Sequence, residues 1–491
     1  MFTARSAAPD GLLEQAVRHL APTLPLLREL GDLFDDAGHE LALVGGPVRD
    51  AFLGRGSLDL DLTTSARPEE IERITGEWAD TQWDIGRAFG TIGLRKGIEH
   101  IEITTYRADS YDRQTRKPTV SFGDNLIEDL RRRDFTVNAM ALRLPSLEFV
   151  DPYGGLDDLA ARRLDTPGPA GVSFADDPLR MMRAARFVAQ LGLAPTAPVL
   201  EAMTALASTL DIVSAERVRD ELVKLMLAQD PIAGLRVFVD TGLAEHVLPE
   251  LPGMRLATDE HRRHKDVYEH SLTVLQQAIV LESPPDADPE SGAVPGPDLV
   301  LRLSALLHDV GKPPTRRFTP DGGVSFHHHE LVGATMTKKR LRALRFDKET
   351  IRDVARLVEL HLRFHGYGRG EWTDSAVRRY VTDAGPLLSR LHRLTRADCT
   401  TRNPRKAQRL QRTYDELEAR IAELSAAEEL GKVRPELDGH EIGEALGIPP
   451  GPVLGRAYQF LLSLRLDRGA IGKDAAREAL LAWWAEQPES A

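Results

Sequence analysis

Two aspartates stand two residues apart, Asp59 and Asp61, in the run DLDLTT. Alternate side chains of a strand point to the same face, so this spacing predicts two neighbouring carboxylates. Carboxylate oxygens are the ligands that Mg²⁺ prefers, and a pair of such ions suits in-line transfer of a nucleotidyl group. Glu102, in the run HIEITTYR, is the candidate for a third carboxylate from a neighbouring strand. An exposed Asp-x-Asp is also common on protein surfaces, so the assignment depends on what surrounds the pair.

The residues just before this pair favour phosphate binding. Gly45 and Gly46 end a predicted strand, and Pro47 suits the first turn of a helix. Free N–H groups at a helix start attract anions, and the guanidinium of Arg49 can add a forked contact to phosphate. Together with the aspartate pair, this stretch predicts a nucleoside triphosphate held through magnesium.

A second group of residues has the composition of a transition-metal site. Its core members are His270, the adjacent pair His308 and Asp309 in LLHDVGK, and Asp398; His329 and His361 would suit a second metal. Imidazole nitrogens combined with carboxylates favour Mn, Ni, Co, Zn or Fe over Mg. Such a metal lowers the pKa of bound water and directs it at a phosphate ester. The order of these residues resembles the HD phosphohydrolase superfamily.

A third pattern could read a nucleobase. Asp177 and Arg180 share a helix face, and one only accepts hydrogen bonds while the other only donates. Cytosine and adenine each present an amino donor beside a ring-nitrogen acceptor, so the pair matches C and A and mismatches G and U. Arg183 and Arg186 continue the stripe towards a triphosphate. The structural alternatives are a helix cap for Asp177 and a solvated stripe for the arginines.

The elements that carry these residues change type along the chain. Residues 41–63 predict strand, glycine turn, helix and strand, and the segments 91–106 and 140–151 predict further strands. After the turn at 151–159 the pattern becomes helical. A Pro-, Gly- and Asp-rich stretch, 283–298, is predicted to be disordered.

Length and composition limit the class of protein. A chain of 491 residues predicts three or four domains, and 42% hydrophobic with 28% charged residues is typical of soluble globular proteins. No apolar run is long enough for a membrane helix, and Cys399 is the single cysteine, so a cytoplasmic location is expected. The net charge of −12 argues against nonspecific coating of nucleic acid but leaves room for local basic tracks. Basic clusters lie at 131–133, 261–265, 338–345 and 401–412.

Four motifs, in order, resemble those of the bacterial-type (class II) tRNA CCA-adding nucleotidyltransferases and their poly(A) polymerase relatives. They are GGPVRD with DLDLTT, RRDFTVNAMAL (132–142), DDPLRMMRAARF (176–187) and ERVRDELVKLM (216–226). The resemblance implies that Asp59 and Asp61 bind magnesium and that Gly46, Arg49 and Arg133 contact the nucleotide. Asp134, beside Arg133, either reads the ribose or pairs structurally. Asp176 stands where the family usually has Glu.

The resemblance also implies an α/β, polymerase-β-like head followed by all-α neck, body, HD and tail domains. The expected ranges are head 22–165, neck and body 166–255, HD 256–400 and tail 401–491. The predicted function is addition of C, C and A to tRNA from CTP and ATP without a nucleic-acid template, with HD phosphohydrolase activity and no membrane partner. The alternatives are a poly(A) polymerase, a CC- or A-adding enzyme, an HD-containing nucleotide signalling enzyme and a noncatalytic RNA-binding protein.

Overall fold

The structure is a computed structural model, and it divides into two compact units, Met1–Val247 and Leu248–Ala491. It describes residues 10–56, 59–86, 90–110, 119–123, 125–255, 266–320, 323–364, 373–400, 403–428 and 433–487. The basic cluster at 261–265 and the first two residues of the 401–412 cluster lie outside the described residues. The finer division into four domains stays a prediction.

The first unit contains a seven-stranded mixed sheet with the strand order β3-β4-β5-β2-β1-β8-β9. The strands of this unit are β1 (Leu41–Val44), β2 (Asp59–Thr64), β3 (Thr81–Gly86), β4 (Thr91–Lys96), β5 (Glu99–Thr105), β6 (Arg107–Ser110), β7 (Thr119–Phe122), β8 (Ala141–Leu144), β9 (Glu148–Val150), β10 (Arg163–Leu164) and β11 (Ala194–Pro195). Within the sheet, β2 and β5 pair in parallel and the other neighbours pair antiparallel. The mixed α/β head predicted from the sequence is therefore confirmed.

The helices of the first unit surround this sheet and continue beyond it. They are α1 (Asp10–His19), α2 (Leu24–Asp36), α3 (Gly46–Phe52), α4 (Pro68–Thr75), α5 (Leu126–Arg131), α6 (Gly155–Ala160), α7 (Ala170–Asp176), α8 (Leu179–Leu191), α9 (Ala197–Leu206), α10 (Ala215–Met226), α11 (Pro231–Asp240) and α12 (Leu243–Val247). Helix α8 packs against α10 and α11. The contact with α11 requires a glycine, because a Cβ at Gly234 would lie 2.5 Å from the carbonyl oxygen of Ala185.

Side chains along the parallel strands β2 and β5 alternate between the core face and the polar face of the sheet. Leu60 and Leu62 of β2 are buried, as are Ile101 and Ile103 of β5. The residues between them point the other way, so Asp59, Asp61 and Glu102 are solvent-accessible. Burial of the leucines and isoleucines therefore fixes which face of the sheet carries the carboxylates.

In the second unit, the described elements are helices and one small hairpin. Its elements are α13 (Glu250–Gly253), α14 (Val267–Val280), α15 (Leu299–Leu307), α16 (Lys312–Thr315), β12 (Arg317–Phe318), β13 (Val324–Ser325), α17 (His329–Ala343), α18 (Lys348–Leu360), α19 (Asp374–Ala384), α20 (Leu388–Ala397), α21 (Pro404–Glu428), α22 (Gly439–Leu446), α23 (Pro452–Arg468) and α24 (Lys473–Ala485). The last three helices share a core of Leu437, Ile442, Ala457, Leu461, Ala476 and Leu480. Among the described helices, none is both long and apolar enough to cross a bilayer.

The stretch 283–298, predicted to be disordered, is ordered, so that prediction was wrong. The backbone N–H of Ser283 donates to Val294 at 2.8 Å, and that of Gly296 donates to Ser283 at 2.9 Å. The two ends are held by buried charges, since Glu282 accepts two hydrogen bonds of 2.7 Å from Arg302. Composition indicated a flexible loop, but ion pairs formed with residues outside the loop decide its conformation.

Candidate active sites

Strand pairing places the three predicted carboxylates on the same open face of the sheet, although their oxygen atoms do not all lie within 4.8 Å of one another. In the parallel pair of β2 and β5, Asp61 lies in register with Glu102. Asp59 stands two residues before Asp61 on the same face. The candidate third carboxylate predicted from the sequence is thus the direct cross-strand neighbour of the aspartate pair.

The electrostatics of this row favour a cation. Loss of hydration raises the pKa of Asp61, with the charge of Asp59 adding to the rise and Arg133 opposing it. Loss of hydration also raises the pKa of Glu102, and Asp61 and Asp59 add to it. Neighbouring carboxylates that raise one another's pKa are stabilised when a cation binds between them. Their all-oxygen donor set fits Mg²⁺.

The glycine turn makes room for an arginine beside these carboxylates. Gly45 has a φ of 72°, a conformation that disfavours side chains. A Cβ at this position would lie 3.1 Å from a terminal nitrogen of Arg133. Strand β1 ends at Val44, before the two glycines that were predicted to end it, and Gly46 begins α3 with Pro47 in its first turn, as predicted. The close backbone approach at Gly45 therefore serves Arg133, whose charge opposes the pKa rise of Asp61.

Arg49 is held in place rather than extended into solvent. Its guanidinium donates to the side chain of Asn138 at 2.6 Å and to both carboxylate oxygens of Asp50 at 2.9 and 3.0 Å. It also lies 5.4 Å from the centre of the Phe187 ring. These contacts fix the orientation of the guanidinium. The role predicted for Arg49 in phosphate binding stays a prediction.

Asp134 and Arg183 form a largely buried ion pair between the segment after α5 and helix α8. The Nε of Arg183 donates to Asp134 Oδ2 at 2.7 Å, and Asn138 donates to Oδ1 at 3.0 Å. Burial alone would raise the pKa of Asp134, but Arg183 and the hydrogen bond from Asn138 lower it to about 2. The sequence left a ribose contact and a structural pair open for Asp134, and this geometry is that of a structural pair.

Arg186 is also largely buried. Its Nε is 2.9 Å from a carboxylate oxygen of Glu221 on α10, and its guanidinium lies 4.4 Å from the Phe187 ring centre. Burial lowers the pKa of Arg186 to about 10. Arg186 therefore joins α8 to α10 rather than forming a solvated stripe, and its predicted nucleotide contact stays a prediction.

The two proposed base-reading residues are joined through the backbone, since the N–H of Arg180 donates to the carbonyl of Asp177 at 3.0 Å, but the hydrogen bonds described for their side chains go to other groups. Asp177 accepts a hydrogen bond from the backbone N–H of Leu179 at 3.1 Å and lies 3.4 Å from Arg217. Arg180 donates to the hydroxyl of Ser173 at 2.8 Å and to the carbonyl of Arg132 at 2.6 Å. Asp177 thus supports the start of α8, as the capping alternative expected. Neither side chain has used all of its hydrogen-bonding capacity.

A cleft of about 350 Å³ in the first unit is lined by five arginines. Its basic lining residues are Arg107, Arg131, Arg132, Arg133 and Arg180. Asp176 lines the cleft, whereas Asp177 is absent from its lining. Arg107 and Arg132 were not predicted as site residues, although the RRR run at 131–133 had marked that region as basic. Because Arg133 both lines this cleft and acts on Asp61, the cleft and the carboxylate row share a residue.

The histidines and aspartates of the second unit form two adjoining donor sets. Among the described residues, two sets of three groups have ligand atoms all within 4.8 Å of one another, and both lie here. The first set is His270, His308 and Asp398; the second is Asp309, His329 and His361. All six residues predicted from the sequence are therefore brought together from five separate segments.

Asp309 belongs to the second set and also lies next to the first. Its Oδ2 is 3.2 Å from His308 Nε2 and 3.4 Å from His270 Nε2. Its Oδ1 is 3.3 Å from His329 Nε2 and 3.8 Å from His361 Nε2. One carboxylate oxygen thus faces each set, an arrangement that fits two metal ions sharing Asp309.

Backbone contacts of three histidines orient their Nε2 atoms towards the donor sets. The Nδ1 atoms of His308, His329 and His361 lie 2.9, 2.8 and 2.7 Å from backbone carbonyls. A carbonyl only accepts, so each Nδ1 carries the proton and each Nε2 offers a lone pair. Burial also lowers the pKa of His361 to about 3, which keeps it neutral.

Unsatisfied buried atoms provide an independent test of whether a metal fits. Asp309 Oδ1, His329 Nε2 and His361 Nε2 are buried without a hydrogen-bond partner in the described structure. Buried polar atoms without partners are costly, and a shared cation would satisfy all three. Lys312 completes the surroundings, since its ammonium donates to Asp309 Oδ2 at 2.6 Å. Lys312 stands in the HDVGK string, but the sequence gave no reason to single it out.

Comparison with known proteins finds three domain families along the chain. The family described as "Poly A polymerase head domain" matches residues 41–165. "Probable RNA and SrmB- binding site of polymerase A" matches 192–254, and "HD domain" matches 267–403. An A-adding tRNA nucleotidyltransferase of Deinococcus radiodurans is 34% identical over 91% of this chain and 96% of its own length. The chain belongs to the tRNA nucleotidyltransferase family. It is therefore an enzyme of the nucleotidyltransferase class that also carries a domain of the HD phosphohydrolase fold, and both domain types are generally metal-dependent.

Other members of this family match a shorter part of the chain. CCA-adding enzymes of Lactobacillus johnsonii and Latilactobacillus sakei are 40% and 39% identical over 47% and 49% of this chain. The matched region spans only 55% and 58% of those two proteins.

Solved structures of the family share the fold. The CCA-adding enzyme of Bacillus stearothermophilus in complex with CTP aligns with a TM-score of 0.66 and 22% identity, covering 96% of this chain and 99% of its own. The Thermotoga maritima CCA-adding enzyme complexed with tRNA aligns with a TM-score of 0.60 and 19% identity, covering 98% and 100%. The predicted order of an α/β head followed by helical domains is thereby confirmed.

Proposed function

We propose that this enzyme adds CMP and AMP to the 3′ end of tRNA from CTP and ATP without a nucleic-acid template. The observation that carries the proposal is the register of Asp61 with Glu102, beside Asp59, in a site that shares Arg133 with an arginine-lined cleft. Carboxylates for cations and arginines for phosphate are the two requirements of nucleotidyl transfer. The relatives named as CCA-adding enzymes support the same reaction.

The reaction joins the acceptor hydroxyl to the α-phosphate of the nucleotide. The new bond forms between the hydroxyl oxygen and the α-phosphorus, the bond to the bridging oxygen breaks, pyrophosphate leaves and the hydroxyl loses its proton. Asp59, Asp61 and Glu102 would hold Mg²⁺, which supplies charge neutralisation at the reacting phosphate. Arg133 and its neighbours in the cleft hold the triphosphate. The chain contributes position and fixed charge more than proton transfer.

Base selection falls to Asp177 and Arg180. An ionised carboxylate has about four lone-pair sites and a guanidinium has five N–H donors. Their internal hydrogen bonds therefore leave acceptor sites on Asp177 and donors on Arg180 for a base edge. An amino group beside a ring nitrogen, as in C and A, would satisfy both residues.

A second candidate is addition of A alone. It is favoured by the Deinococcus relative, which matches almost from end to end and is named as A-adding. Labelled CTP and ATP should therefore be offered separately to tRNA that lacks the CCA end and to tRNA that ends in CC. Incorporation of CMP on the first acceptor and AMP on the second supports CCA addition. Incorporation of AMP alone supports the second candidate, and no incorporation on either acceptor contradicts both.

The HD domain would hydrolyse a phosphate ester at a tRNA end, such as a 2′,3′-cyclic phosphate. Water adds to the phosphorus, one ring P–O bond breaks, and the released sugar oxygen takes a proton. Mn, Ni, Co, Zn or Fe bound by His270, His308, Asp309 and Asp398 would supply an activated water. The product of complete phosphate removal is the free hydroxyl that the head domain extends. We place both activities in the cytoplasm, with tRNA, CTP and ATP as partners.

A further inference from the structure

An exposed aromatic residue lies on the hairpin β12–β13, which connects the segment of Asp309 to that of His329. Strands β12 and β13 pair Arg317 with Ser325 and Phe318 with Val324. Phe318 is 70% exposed, although the guanidinium of Arg316 lies 4.8 Å from the centre of its ring. The ring contacts one arginine, but an exposure of this size leaves much of its aromatic surface open to a further stacking partner.

Both ends of this hairpin are attached to the metal-ligand residues. Before it, Lys312 donates to Asp309 Oδ2 at 2.6 Å. After it, the carbonyl of Phe326 lies 2.8 Å from His329 Nδ1. The two ends also meet, since the ammonium of Lys312 is 5.8 Å from the Phe326 ring centre. The hairpin is therefore fixed next to the donor sets.

A close backbone contact makes this attachment rigid. A Cβ at Gly311 would lie 2.0 Å from the carbonyl oxygen of His329, so only glycine fits between the turn and α17. The hydroxyl of Thr315 donates back to the carbonyl of Gly311 at 2.8 Å. The path from Asp309 to the hairpin thus has little freedom to move away from the metal-ligand residues.

The charge of this segment is complementary to nucleic acid. The run GKPPTRRFTP, residues 311–320, carries three cations; Lys312 is paired with Asp309 and Asp321 follows the run, so Arg316 and Arg317 remain as the candidate phosphate contacts. Arg316 is also an unsatisfied donor, because its Nε is buried without a hydrogen-bond partner in the described structure. An aromatic ring beside arginines is the combination that binds single-stranded nucleic acid, by base stacking and phosphate contact.

We propose that the hairpin binds the last nucleotide of a single-stranded RNA end whose terminal phosphate occupies the HD site. The base stacks on Phe318, and Arg316 and Arg317 contact the adjacent phosphate. This assignment rests on the proposed hydrolase function and adds the residues that would bind the RNA end beside the phosphate. An ester without a base would gain nothing from the hairpin.

The test compares two substrates on the full chain with Mn²⁺. One is the 2′,3′-cyclic phosphate of methyl riboside, a diester that lacks a base and any other aromatic group; the other is a short RNA that ends in a 2′,3′-cyclic phosphate with 2-aminopurine as its last base. In Phe318→Ala, kcat/KM for the RNA should fall about 10-fold through KM, the size expected for loss of one base stack. Hydrolysis of the baseless diester should be unchanged, and Phe318→Trp should restore the RNA rate.

Val280→Ala is the matched control, because Val280 is 75% exposed at the end of the helix that carries His270. It should change neither rate. Equal losses on both substrates in Phe318→Ala, or no loss on the RNA, would overturn the hairpin assignment.

A binding readout separates this inference from the hydrolase function itself. Stacking quenches 2-aminopurine fluorescence, so wild-type protein should quench the RNA end and Phe318→Ala should not. If the wild type hydrolyses neither substrate, the hydrolase proposal fails while the quenching difference still supports an RNA-binding hairpin. Equal quenching by wild type and Phe318→Ala would overturn the inference whatever the hydrolysis results.

Discussion

Arg183 of α8 pairs with Asp134 through an Nε–Oδ2 contact of 2.7 Å, although the two residues are separated by 48 others in the chain. The carboxylate is buried. Among the described residues, its other side-chain hydrogen bond comes from Asn138. This pair fixes helix α8, with Asp177 and Arg180 at its start, against the segment that carries Arg133. The orientation of the helix that we propose reads the base therefore depends on it.

Arg183→Met should lower the stability of the first unit by about 2–3 kcal/mol, because it leaves a buried carboxylate without its cation. The measurement is the urea midpoint. Arg131→Ala is the matched control, since its contact with Glu128 is exposed on both sides and should cost less than about 0.5 kcal/mol. Equal shifts in the two variants would contradict a structural role for the pair.

The same pair predicts a pH dependence. The folded pKa of Asp134 is about 2, below its unfolded value of about 3.9, so its contribution to stability is present above pH 4. That contribution is lost as the pH falls towards 2. The stability difference between wild type and Asp134→Asn should therefore shrink between about pH 4 and pH 2. A difference that stays constant across this range would contradict the depressed pKa.

Asp177→Ala should change base choice more than the rate of the chemical step. Loss of the acceptor for the amino group of C or A should cost about 1–3 kcal/mol in kcat/KM, and discrimination against UTP should fall. Asp220→Ala serves as the control, because Asp220 is an exposed acid of the same unit. Unchanged selectivity in Asp177→Ala would leave this residue as a support for the start of α8 alone.

Helix α21 should contribute to tRNA affinity through its basic face. Arg405 and Arg409 are exposed, whereas Tyr414 and Leu417 farther along the helix are buried. Neutralising Arg405 and Arg409 together with Lys406 should weaken tRNA binding and reduce the slope of log K against log salt by up to about 2–3.

A second triple variant controls for loss of positive charge in general. Neutralising Arg456, Lys473 and Arg477, on the last two helices, removes the same number of charges and should leave the slope unchanged. Identical slopes for wild type and the α21 variant would assign that helix to ordinary solvated surface.

The HD site should bind two divalent metal ions, with Mn, Ni or Co preferred to Mg because its ligands include imidazoles. Metal analysis should give two ions in the wild type and one in His361→Ala, and Asp309→Ala should lose both. His440→Ala is the control, since His440 is exposed outside both donor sets. Hydrolysis of a 2′,3′-cyclic phosphate that persists in both His308→Ala and Asp309→Ala would exclude this site.

Local patterns in the sequence predicted the carboxylate row well. Alternation in DLDLTT placed Asp59 and Asp61 on one face because the leucines between them had to be buried. The sequence predicted only that Glu102 lies on a neighbouring strand. Its register with Asp61 could not be predicted, because strand register depends on the whole sheet. The histidines were recognisable from HDVGK and its flanking ligands.

Contacts between distant residues were beyond such patterns. Nothing local to Asp134 indicates Arg183 as its partner, and nothing in 283–298 indicates that Glu282 and Arg302 fix its ends. The position of Asp309 between two donor sets likewise results from the packing of several helices. Long-range ion pairs and shared ligands follow from tertiary structure, and here they decide the order of a loop and the layout of a site.

Nucleotidyl transfer at the row of Asp59, Asp61 and Glu102 is best tested by an incorporation assay with a variant of Asp61. Asp61→Asn, with Mg²⁺, should lower by at least about 100-fold every incorporation that the wild type performs, with CTP on tRNA lacking CCA and with ATP on tRNA ending in CC. Asp80→Asn, an exposed carboxylate of the same unit, should retain full activity. Near-wild-type incorporation by Asp61→Asn would contradict nucleotidyl transfer at this row.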